Sequence, residues 1–116
     1  MFSKLFGRGG GSTGASGVIT FDDLRARLEA GACALVDVRE PAEFAAGHPR
    51  GAQNMPLSRF DPAGLPTEQP VVLICHAGAR SAKALAAAQA AGRTDVVHYP
   101  GGFSGWRSLG GPVETR

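Results

Sequence analysis

The patterning of this chain predicts an α/β fold with a mostly parallel central sheet of about five strands and helices on both faces. Three observations carry that reading. Short apolar runs recur at residues 32–38, 71–74 and 96–99, and such a run, rich in β-branched residues, reads as a strand buried on both faces. Stretches with helical character precede or separate them, one after Thr20 and an alanine-rich one over residues 82–91. Gly31 and Gly92 follow those stretches as natural C-caps. Strands alternating with helices at this spacing imply parallel pairing.

The chain has 116 residues, enough for one compact domain and too few for two. Apolar residues make up 43% and charged residues 19%, ordinary for a globular protein, and a formal net charge of +2 does not by itself argue for nucleic acid or a membrane surface. The two cysteines, Cys33 and Cys75, lack the spacing of a metal site or a disulfide framework. The first residues have neither the apolar core nor the cleavage site of a signal peptide. The expected compartment is the reducing cytoplasm, which suits a working thiol.

In order, residues 1–17 are expected to be a flexible Gly/Ser-rich tail, because residues 7–17 offer little apolar surface to bury. Phe2, Leu5 and Phe6 beside Lys4 and Arg8 leave a single amphipathic turn as the alternative. Val18-Ile19 reads as a short strand. Thr20 is a good N-cap, with Leu24 and Leu28 on one face of the helix that follows. The strand over residues 32–38 places Cys33 in the core as a small apolar side chain. Asp37 and Arg39 fall at its end, the edge where functional groups gather in open α/β sheets, with a surface ion pair or loop hydrogen bond as the plainer role. Pro41 opens a short helix at its first position, with Glu43 in the first turn and Phe44 inward. A short strand over residues 53–55 follows an irregular segment. Residues 61–67 are a connection punctuated by proline and glycine. His48 and His98 read as hydrogen-bonded structural residues. Phe103 and Trp106 pack back as a short helix, and residues 110–116 form a C-terminal tail whose last four residues fray.

The chemically distinctive stretch is Cys75-His76-Ala77-Gly78-Ala79-Arg80-Ser81. It joins the end of a buried strand to the start of a helix expected at Ser81. The first N–H groups of a helix have no intrahelical partner and carry partial positive charge. A tight loop through Gly78 would aim further N–H groups at the sulfur as an anion-binding nest. His76, Arg80 and Lys83 add positive groups, and no acidic residue lies between Val71 and Gly92. Each feature favours the thiolate, the nucleophilic form of cysteine. The plainer alternative is a buried apolar cysteine at a strand end.

This loop resembles the active-site loop of the rhodanese family of sulfurtransferases, which commonly runs Cys-x-x-Gly-x-Arg-Ser. Val36-Asp37-Val38-Arg39-Glu40-Pro41-Ala42-Glu43-Phe44 with Gly47-His48 resembles further family segments. So do Gly51-Ala52 with Asn54 and Pro56, and Tyr99-Pro100-Gly101-Gly102-Phe103 with Trp106. The likeness spans residues 18–109, and the chain departs from the pattern at Pro49-Arg50, where the family usually has an apolar residue and a proline. It implies a rhodanese-like fold over 18–109. It also implies transfer of a sulfane sulfur from thiosulfate or a similar anionic donor to cyanide or a thiol, through a persulfide on Cys75. His76, Ala77, Gly78, Ala79, Arg80 and Ser81 would form the substrate-binding loop, with Asp37 and Arg39 in support. Arg80 and His76 would attract the donor, and Arg80 would also brace the loop. No cofactor or metal is called for. From Cys75 to Arg80 the loop counts six residues, one fewer than the Cys-x5-Arg ring with which cysteine phosphatases and arsenate reductases cradle a tetrahedral oxyanion. The shorter ring favours a persulfide over a phosphocysteine. A persulfide carrier or sulfur-relay module acting with a protein partner stays open as the alternative.

Overall fold

The computed structural model describes residues 17–115, so the tail expected over residues 1–17 falls outside it except for Gly17. The central sheet has strands β1 (Ala34–Asp37), β3 (Gln53–Asn54), β4 (Val71–Ile74) and β5 (Val96–His98). They lie in the order β3-β1-β4-β5, all parallel, with Leu35 opposite Val72 and Val72 opposite Val97. Val18 adds a single parallel bridge beside His98 at the β5 edge. Four strands and this bridge therefore stand where about five strands are expected. A second, two-stranded antiparallel sheet pairs β2 (His48–Pro49) with β6 (Val113–Glu114).

Helix α1 (Phe21–Glu29) begins at Thr20, whose hydroxyl accepts from the Asp23 N–H at 3.1 Å. It stops at Gly31, which takes a left-handed φ of 65°. Helix α2 (Pro41–Ala46) has proline at its first position and a capping box between Glu40 and Glu43. Helix α3 (Ala79–Ala90) fills the alanine-rich stretch, and α4 (Gly102–Ser108) follows the paired glycines. Successive strand side chains alternate between faces, so the sheet carries two cores. Leu35, Val72, Ile74 and Val97 pack with Leu24, Phe44, Phe103 and Trp106 of α1, α2 and α4. Val36, Val71, Leu73, Cys75 and Val96 pack with Ala84, Leu85 and Ala88 of α3. The helices thus cover both faces, as expected.

Two expectations need correction. Helix α3 begins at Ala79 and not at Ser81, because Gly78 turns left-handed (φ 105°) and releases the chain into helix at once. Arg80 and Ser81 therefore belong to the first helical turn. Of the last four residues, expected to fray, Val113 and Glu114 are ordered as a strand. Val113 and Glu114 pair with β2, the Arg50 N–H donates to Pro112 O at 3.0 Å, and the Trp106 indole N–H donates to the same carbonyl at 2.8 Å. A remote strand and a buried indole thus supply the partners that local composition does not reveal. Among the described residues no helix is long and apolar enough to cross a membrane.

Candidate active site

Cys75 follows β4 directly and shares the side of the sheet that faces α3. Its side chain is buried. The Gly78 N–H donates to Sγ at 3.0 Å, and Ser81 Oγ lies 3.5 Å from Sγ. Burial pushes the thiol up, but hydrogen bonds from the Ser81 hydroxyl and from the backbone N–H groups of Ser81, Gly78 and Ala77 outweigh it. The net position is below the ordinary thiol value. The depression thus comes from dipoles that the loop and the head of α3 aim at the sulfur.

Gly78 is required twice over. Its left-handed φ closes the loop, and a Cβ there would stand 2.7 Å from the Pro100 carbonyl oxygen. The segment after β5 supports the loop from behind. The Phe103 N–H donates to Cys75 O at 2.7 Å, and the Ser104 N–H donates to His76 O at 3.1 Å. At Gly102 a Cβ would collide with the His76 carbonyl.

The remaining predicted residues divide. Ala77, Gly78 and Ser81 lie around the sulfur, while His76 and Ala79 sit in the same loop. His76 is exposed and lines shallow clefts with Phe103 and Arg107. Arg80 is engaged elsewhere. Its guanidinium makes a bidentate pair with the Glu43 carboxylate of α2, at 2.7 and 3.0 Å. The Arg80 hydrogen bond holds Glu43 down at about 2, against some opposition from burial. Lys83 is exposed on α3.

Asp37 and Arg39 form a buried ion pair, not a surface one, with guanidinium–carboxylate distances of 2.7, 3.0 and 3.1 Å. Arg39 also donates to Gly47 O at 2.7 Å and lies 4.4 Å above the Phe103 ring. The pair joins the end of β1 to α2 and α4, so its contact with the cysteine loop is indirect. His48 is structural, stacked on Phe44, with Nδ1 2.7 Å from Phe44 O. Cys33 is buried in the opposite core, and burial raises its thiol despite the nearby Arg27.

Two contributors escape sequence reasoning. Glu43 stands 37 positions from the arginine it holds. His98, at the end of β5, places Nδ1 2.9 Å from Ser81 Oγ. The one available signal is a histidine inside an apolar strand, and its Ser81 partner shows only after folding. Among the described residues no group of three or more His, Cys, Asp or Glu is placed to hold a metal ion.

A buried sulfur ringed by backbone N–H groups thus lies between a parallel strand and a helix in an α/β domain. Residues 20–109 match the family model described as "Rhodanese-like domain", and the chain belongs to that family. A probable adenylyltransferase/sulfurtransferase, MoeZ, of Mycobacterium tuberculosis is 44% identical over 93 residues, 76% of this chain and 24% of that protein. The chain thus spans about a quarter of that relative's length. The thiosulfate sulfurtransferase GlpE of Pseudomonas fluorescens is 37% identical over 84 residues, 70% of this chain and 75% of the relative. A rhodanese-related protein from Thermoplasma volcanium superposes with a TM-score of 0.77 at 31% identity, covering 85% of this chain and 98% of that one.

Proposed function

We propose that this protein is a sulfurtransferase whose nucleophile is Cys75. The observation that carries the reading is the 3.0 Å hydrogen bond from Gly78 N–H to a buried cysteine sulfur at the head of α3. The thiolate attacks the outer sulfur of thiosulfate, the sulfur–sulfur bond of the donor breaks, and sulfite leaves with the bonding pair. The product is a persulfide, Cys75–S–S⁻, whose negative charge the N–H groups of Ala77, Gly78 and Ser81 hold as oxyanion donors hold charge in acyl transfer. Cyanide or a thiolate then attacks the terminal sulfur, leaving as thiocyanate or a new persulfide and restoring the Cys75 thiolate. Arg107, exposed beside the loop next to His76, supplies positive charge for an anionic donor. A working thiolate fits a reducing compartment such as the cytoplasm.

A second reading has one observation in its favour. The mycobacterial relative is about four times as long as the matched segment, which fits a module that carries sulfur to a protein partner. Both readings share the persulfide. Mass spectrometry of the intact protein after thiosulfate, with and without a thiol chase, tests it. One added sulfur on Cys75, released by the chase, is expected. Loading on Cys33, on neither cysteine, or turnover by Cys75→Ser would refute it.

A further inference from the structure

His98 is a buried titratable side chain that this mechanism leaves unused. It ends β5, with Leu73 of β4 as its sheet neighbour. Its own backbone is satisfied by Gly17 and Ile19. The ring reaches across to α3, where Nδ1 lies 2.9 Å from Ser81 Oγ. The same oxygen lies 3.5 Å from Cys75 Sγ and 3.2 Å from Gly78 O. Ser81 has one hydroxyl proton and three acceptors within reach, so what His98 presents decides where that proton goes.

Two arrangements satisfy the chain Cys75–Ser81–His98. With Nδ1 bare, the ring accepts the Ser81 proton, and Ser81 Oγ turns a lone pair toward the sulfur. That suits a thiol, which donates to Oγ. With the proton on Nδ1, the ring donates to Oγ, and the Ser81 hydroxyl proton is free to turn to a sulfur anion. The two end states differ by one proton released to water when the thiol ionises, and His98 is neutral in both. Burial, which pushes the ring's proton affinity down, keeps it neutral.

Resting on Cys75 as the nucleophile, we infer that His98 is a positioning residue for it. By donating from Nδ1 to Ser81 Oγ, the imidazole withdraws as an acceptor, and the Ser81 hydroxyl proton is left to the sulfur anion in competition with Gly78 O alone among the three. The charged groups nearby are otherwise occupied. Arg80 of α3 is held by Glu43 of α2, and Asp37 of β1 is held by Arg39. His76 of the loop is exposed.

The test is the pH dependence of Cys75 alkylation by iodoacetamide, read peptide by peptide, in wild type, His98→Leu, His98→Asn, Ser81→Ala and the Ser81→Ala/His98→Leu double variant. His98→Leu is expected to raise the apparent thiol pKa by about one unit, a tenfold loss of thiolate at fixed lower pH. His98→Asn, whose carboxamide N–H can donate to Oγ, should restore most of it. In the Ser81→Ala background, His98→Leu should add nothing further. An unchanged pKa in His98→Leu, a rise that asparagine does not rescue, or full additivity in the double variant would overturn the inference. Nitrogen-15 NMR of wild-type His98 decides independently if the leucine variant does not fold. The ring proton should move from Nε2 to Nδ1 as Cys75 ionises, and a fixed tautomer would sink the proposal. Neither readout needs a sulfur donor, so failure here is distinct from failure of sulfur transfer.

Discussion

Arg80→Ala, paired with Glu43→Gln, separates two roles that a cation in the Cys75 loop can play. Arg80 donates to both carboxylate oxygens of Glu43 at 2.7 and 3.0 Å. That ties the first turn of α3, the source of the Ser81 N–H and hydroxyl, to α2. Both side chains are partly exposed, at 34% and 39%, so solvent screening limits the pair to about 0.5–1 kcal/mol of stability. Alanine returns a few tenths through its higher helix propensity, and urea denaturation should show a net loss below about 1 kcal/mol. If the pair braces the loop, looser N–H groups should lower kcat/KM about three- to fivefold, the equivalent of about 1 kcal/mol. The loss should be alike for thiosulfate and for a neutral sulfur donor. Glu43→Gln should act in the same direction, because it weakens the brace while leaving the cation. Titration adds a check. Glu43 sits at about 2 when folded, below the ordinary 4.5, so the pair's stabilisation is full above that ordinary value. It is lost as the pH falls through about 2. Glu43→Gln should flatten that acid limb. The bracing argument is refuted if Glu43→Gln lowers KM for thiosulfate while Arg80→Ala raises it and neither changes the neutral donor.

Asp37→Ala should cost about 3–5 kcal/mol in chemical denaturation, because it strands the buried Arg39 guanidinium; a loss under about 1 kcal/mol would show that the site rehydrates freely. Gly102→Ala should cost at least about 2 kcal/mol and depress transfer, since its Cβ meets the His76 carbonyl and its φ is left-handed. Wild-type stability in that variant would mean the loop and α4 move apart at little cost. Hydrolysis of aryl phosphates should be negligible, and one glycine inserted between Ala77 and Gly78 should weaken sulfur transfer; robust phosphatase activity in the unaltered protein would refute the loop-length argument.

How much of this was legible beforehand depends on how far apart the interacting residues lie. The strand, the left-handed glycine and the helix head occupy one short stretch, so the loop around Cys75 is legible directly from its residues. Thr20 and Pro41 likewise act on their immediate neighbours: Thr20 caps α1 and Pro41 opens α2 at its first position, both as expected. The partners of Arg80 and Ser81 come from α2 and β5, and no local pattern encodes which cation meets which carboxylate. The ionisable pair at Asp37 and Arg39 was visible as residues, but its burial follows from α4 closing over it. Val113 and Glu114 read as part of a frayed end because glycine and proline precede them. Their order comes from β2, more than 60 positions earlier.

The two hydrogen bonds from the start of α4 to the backs of Cys75 and His76 couple chemistry to local stability. Helix α4 has only seven residues, and a short helix holds its place through tertiary docking and little else. Undocking of α4 would be a local opening, separable from loss of the strands. Each opening would remove the rear support of the nucleophile loop and pull Trp106 from its carbonyl partner. Trp106 is the chain's single tryptophan and is buried. The molecule therefore carries an optical reporter on the helix that backs the Cys75 loop. Activity and indole fluorescence should fade together at mild denaturant, while the far-ultraviolet signal of the sheet and α3 persists.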